Sequence, residues 1–90
     1  MNNNQIALSS LAMDLKRVAV GYHHGSGTMA NRFLAEALKR KNEIDPTTVK
    51  PYIAKLLEKI DTLVKEKDTT RIAEDALMYS TLLQNASFHV

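Results

Sequence analysis

The chain reads as an all-α protein: a compact antiparallel four-helix bundle forming a single helical domain over residues 1–90. Three observations predict it. Apolar residues recur at spacings of three and four along four separate segments, which is the helical period. No stretch alternates apolar and polar residues over strand length with β-branched enrichment. The residues that break helices are confined, with all three glycines between positions 21 and 27 and both prolines at 46 and 51.

The first helix is expected from about Gln5 to Tyr22. Leu8, Leu11, Leu15, Val18 and Tyr22 form its stripe, and Ala12 and Ala19 widen it. Asn3 or Asn4 can cap its start by accepting an orphan backbone N–H. The segment Gly21-Tyr22-His23-His24-Gly25-Ser26-Gly27 then breaks the pattern. A glycine in a helix interior costs about 1 kcal/mol, so a break is expected here, with a connection at about 23–28. In a variant of the fold this segment stays helical and the first two helices fuse into one bent helix. The break reads as longer and looser than the tight turn of a helix-turn-helix.

The second helix is expected from about Met29 to Asn42, with Met29, Phe33 and Ala37 on the buried stripe and Ser26 or Thr28 as cap. Lys39, Arg40 and Lys41 fall in its last turn, where cations favour the negative end of the helix dipole. Glu36 and Arg40 have the spacing of an i,i+4 pair. A connection follows at about 43–48. Pro51 is harmless only in a first turn, so the third helix is capped at Thr47 or Thr48, or at Asp45 with a kink. It is expected from about Val49 to Lys67, with Val49, Tyr52, Ile53, Leu56, Ile60, Leu63 and Val64 as its stripe and Leu57 at the edge.

Asp68-Thr69-Thr70 offers good caps for a fourth helix from about Thr70 to Ala86, after a connection at about 67–70. Ile72, Ala76, Tyr79 and Leu83 form its stripe, Leu77 flanks it, and Met78 and Leu82 make a second ridge. After Glu74 and Asp75 no charged side chain follows. A helix wet on one face would carry charge there, so this helix is either central or meets another surface. Phe88 is expected to dock the tail back on the bundle.

Composition narrows the function. The apolar share is 44%, in the globular range, and aromatics are few, so the core is aliphatic. Without cysteine there is no disulfide, no thiolate metal site and no cysteine nucleophile. The N-terminus lacks a basic signal-peptide region, and Ile6 to Val20 contains Asp14, Lys16 and Arg17, so no membrane segment is expected. The expected location is the cytoplasm. Residues 1–42 carry a net +4 and residues 43–90 a net −2. The halves can attract each other within the fold, or the first can meet an anionic partner.

His23 and His24 are the candidates for chemistry, as part of a functional turn with Tyr22. Adjacent helical residues diverge by about 100°, which suits them poorly to share one ion, and the H-x-x-x-H spacing is missing. His89 could join only if the tail folds back. Gly25-Ser26-Gly27-Thr28 precedes a helix, as a phosphate site would, but lacks the rest of the phosphate-loop pattern. Neither a catalytic residue, a cofactor nor a metal is therefore expected. The leading expectation is a non-catalytic interaction or regulatory module. It associates with itself as a homodimer, or with another protein, through Met78, Leu82 and Tyr79 of its charge-poor last helix. The alternative is nucleic-acid binding through Lys16, Arg17, Arg32, Lys39, Arg40 and Lys41.

Overall fold

Helix α1 spans Asn3–His23 and forms the axis of the molecule; the computed structural model describes residues 3–88. Helix α2 spans Gly27–Asn42, a 3-10 turn spans Pro46–Thr48, α3 spans Pro51–Leu63, and α4 spans Thr69–Ser87. Among the described residues there are four α-helices and no strand, so the all-α bundle stands. Helices α1 and α2 are separate, which sets aside the fused variant.

The stripe Leu8, Leu11, Leu15 and Val18 is fully buried. Its neighbours decide what can approach it. On one flank Ala12 and Ala19 let α4 come close enough for the Ser80 hydroxyl to donate to the Ala12 carbonyl at 2.7 Å. On the other flank α2 packs along α1, and α3 closes the core with Ile53, Leu57, Ile60 and Leu63. Leu57 is thus a core residue and not an edge one, whereas Tyr52 and Val64 leave the expected stripe and are half exposed.

The turn between α1 and α2 is shorter and tighter than expected: three residues, His24 to Ser26. Gly25 takes the left-handed conformation at φ +75°. The Gly25 amide donates to the Tyr22 carbonyl and the Ser26 amide to the Gly21 carbonyl, the paired bonds that close a helix in a Schellman motif. Ser26 at once caps α2, its hydroxyl accepting from the Met29 amide at 3.3 Å. The return helix does not cross α1 as in a helix-turn-helix. Contacts at Gly21–Ala30, Arg17–Phe33 and Asp14–Arg40 follow α1 backwards as α2 advances, which defines an antiparallel αα-hairpin. Gly21 makes it possible: a Cβ there would stand 2.9 Å from the Ala30 nitrogen. The buried stripe of α2 is accordingly set by Ala30 and Ala37, and Met29 turns outward.

The link to α3 is more ordered than a simple cap. The Asp45 carboxylate accepts from both the hydroxyl and the amide of Thr47, and these bonds hold its pKa below the ordinary carboxylate value. Asn4 does not cap α1; it lies within the helix, and its amide donates to the carbonyl and hydroxyl of Thr48. Val49 and Lys50 are extended, and Pro51 opens α3 at its first position, where a missing N–H costs nothing. Helix α3 stops at Leu63, four residues earlier than expected. Beyond Leu63, Lys65, Glu66 and Lys67 bring no apolar group to the core. The Glu66 carboxylate instead accepts from the amides of Lys67 and Asp68. Asp68 then caps α4 through the amides of Thr70 and Arg71.

The three glycines should respond differently to alanine. Gly21→Ala is expected to cost about 2 kcal/mol through forced separation of packed backbones. Gly25→Ala should cost about 1 kcal/mol through its left-handed backbone. Gly27→Ala, with nothing within 4 Å of its new methyl, should be neutral or slightly stabilising. Urea denaturation of the three variants measures the order.

Candidate functional site

The turn residues are brought together by contacts that join the end of α1 to the start of α2. The Tyr22 hydroxyl donates to the Asn31 side chain at 2.9 Å, tying the end of α1 to the start of α2. The His23 and His24 rings meet edge to face at 5.7 Å and are both exposed. Among the described residues no group of three or more His, Asp or Glu side chains gathers as a metal site. His89 lies outside the described residues.

The six basic residues divide. Asp14 is buried on α1, and its carboxylate takes the Arg40 guanidinium at 3.1 Å and Arg17 at 3.8 Å. Arg17 also lies over the Phe33 ring, 5.3 Å from its centre. Lys41 reaches Asp61 of α3 at 2.8 Å. Arg40 and Lys41 thus spend their charge on neighbouring helices and Arg17 on Asp14 of its own helix, and Arg40 pairs with Asp14 in place of Glu36. The other three do not converge. Lys16 borders the groove between α1 and α4, whereas Arg32 and Lys39 are on α2. The charge asymmetry between the halves is consumed in part by the Lys41–Asp61 link.

The last helix presents a different surface. Leu77, Met78 and Leu82 are 51%, 49% and 43% exposed, and Phe88 is 67% exposed instead of docking on the bundle. Tyr79 is corrected: it is buried in the core and shares no outward face with Met78 and Leu82. Burial pushes its phenol pKa up, and the Asp75 carboxylate adds to this while Arg71 opposes it.

A second row, which the sequence reading missed, lies beside this surface. Ile6, Met13 and Val20 of α1 are half exposed and repeat every seven residues. A seven-residue repeat drifts only about 20° per step round a helix, so the row runs nearly straight. The spacing was visible in the sequence, but the row lies opposite the buried stripe with Lys16 and Arg17 interleaved. Across the groove, Met13 and Val20 border Leu77, and Ile6 borders Phe88. Ser9, Ser10, Ser80 and Thr81 supply small polar neighbours. The result is one apolar face on the α1–α4 pair, directed away from α2 and α3. Among the described residues no helix is long and apolar enough to cross a membrane.

No protein-family model matches the chain, and neither the curated proteins nor the solved structures contain a detectable match. The functional reading therefore rests on this all-helical bundle and its surface.

Two changes test the interior charges. Arg40→Met should destabilise the fold by about 2 kcal/mol, because Asp14 loses its charge-assisted hydrogen bond. Lys16→Met should stay within about 0.5 kcal/mol of the parent in the same urea titration. A raised Tyr79 pKa means the folded state holds the phenol proton more tightly. Its stability contribution is intact below the ordinary tyrosine pKa of about 10 and is lost as pH rises through the higher folded value. Tyr79→Phe should flatten that alkaline fall in thermal melts recorded above neutral pH.

Proposed function

We propose that this protein is a small non-catalytic interaction or regulatory module of the cytoplasm that works as a homodimer, associating through its charge-poor last helix. The observation that carries the reading is the apolar face of the α1–α4 pair. Among the described residues, six of the ten exposed large apolar side chains belong to those two helices, Ile6, Met13, Val20, Leu77, Met78 and Leu82, and a seventh, Phe88, follows directly on α4. Scattered apolar residues need no explanation on a soluble protein, but Ile6, Met13, Val20, Leu77 and Phe88 border the same groove between α1 and α4, and a group of this kind marks an interaction surface. The lack of cysteine suits a reducing compartment.

Protein association is favoured over nucleic-acid binding because of the ion pairs. Phosphate recognition needs several cations that are available on one side. Arg17, Arg40 and Lys41 are engaged with Asp14 and Asp61, and Lys16 stands apart from Arg32 and Lys39.

Native mass spectrometry and sedimentation of the untagged protein over a range of salt test the reading. The expected result is a dimer that resists salt. Leu77→Lys with Met78→Glu should keep the helical circular dichroism and weaken association at least tenfold, since each lost 1.4 kcal/mol is about a factor of ten. A protein that stays monomeric at high concentration, or that carries oligonucleotide released by salt, overturns it.

A further inference from the structure

We infer that the dimer is formed face to face by two α1–α4 pairs, with the two α1 helices antiparallel, Met13 on the two-fold axis, and Phe88 of each copy seated in a recess of the other. The inference rests on the self-association proposed above and specifies its geometry.

The row on α1 is symmetric about its middle residue. Ile6 and Val20 each stand seven residues from Met13, about 10 Å of helical rise in opposite directions. A two-fold axis lying in the face, perpendicular to α1 at Met13, exchanges the two ends. Ile6 then meets Val20 of the second copy, and Met13 meets Met13. Such an isologous contact closes on itself, as a dimer must.

The neighbouring helix fits the same operation. Phe88, directly after α4, projects beside Ile6, at one end of the groove. At the other end, beside Val20, is a recess of about 340 Å³ whose apolar lining is Ala19, Val20, Ala73 and Leu77, with His23, His24 and Glu74 also bordering it. The rotation keeps α4 over α4 and exchanges the ends, so each Phe88 arrives over the other copy's recess. An aromatic ring in an apolar pocket is the usual form of an interface anchor. Parallel packing, with the two-fold along α1, would carry the two α4 helices to opposite sides and leave both recesses empty.

The area is adequate. The molecule measures 35 × 22 × 19 Å between Cα atoms along its principal axes. Covering its long face removes on the order of 700 Å² from each copy, close to the roughly 800 Å² per partner of a standard stable interface. Met78 falls at the rim of this contact and Leu82 beyond it, so the α1 row is its centre.

The native chain has no cysteine, so single cysteines report the geometry directly. Wild-type oligomeric state is measured first, by native mass spectrometry. Each variant is then checked for helicity by circular dichroism and oxidised mildly. Met13→Cys is expected to cross-link to itself. Ile6→Cys alone should not, but mixed with Val20→Cys it should give the mixed cross-linked dimer. Phe88→Ala, which removes an exposed ring and no core contact, should weaken dimerisation at least tenfold. A dimer in which Ile6→Cys links to itself, or in which Met78→Cys links and Met13→Cys stays silent, overturns this arrangement and leaves self-association standing. A wild-type monomer overturns both.

Discussion

The structure depends on how closely α1 can be approached from two sides at once. A helix with large residues all round would hold its neighbours apart. Here the α4 side carries Ala12 and Ala19, near enough for Ser80 to bond to backbone, and the α2 side carries Gly21 against Ala30. These contacts set the spacing that lets Leu8, Leu11, Leu15 and Val18 fill the interior completely. They also set direction. The Gly21 approach is followed at once by the tight Schellman turn, which lays α2 back along α1. The Asp14–Arg40 pair then locks the far end of the hairpin.

The same economy explains the outward surface. Close packing with small side chains leaves the groove between α1 and α4 shallow and apolar on its outer side. Serine, threonine, alanine and glutamine run along it with large apolar residues at intervals, and Lys16 and Glu74 are the charged residues that border it. Electrostatics points inward by contrast. Arg40 and Lys41, two of the six basic residues that the nucleic-acid alternative would use, are spent joining α2 to α1 and to α3.

Helix number, order and approximate bounds were legible because each depends on local signals: a three-and-four stripe, a capping Ser26 or Asp68, a first-turn Pro51. The details that escaped depend on partners distant in sequence. Met29 looked buried because it begins a good stripe, yet Ala30 is drawn in by the backbone of Gly21. Lys65 to Lys67 looked helical because the charge pattern continues, yet no core remains beyond Leu63 to hold another turn. The basic triplet of α2 read correctly as a helix terminus, but Asp14 as its partner lies 26 residues away. Of the candidate face, Met78 and Leu82 were legible as excess apolar residues. Tyr79 was misassigned because it belongs to the buried stripe of the same helix. The α1 row escaped because a second apolar stripe on a helix attracts no notice until the first is known to be buried elsewhere.

The pairing of α1 with α4 also has a consequence for how the protein comes into being. These are the first and last helices, and the hydroxyl that joins them lies 68 residues from its acceptor. During synthesis α1 and α2 can close their hairpin early, from contacts that are local in sequence. The other flank of α1 must then wait, with its leucines uncovered, until the last helix leaves the ribosome. Chains at that stage expose the surface most prone to association with one another. A nascent chain here therefore carries its greatest hazard not in a slow late rearrangement but in the interval between making its first helix and its fourth.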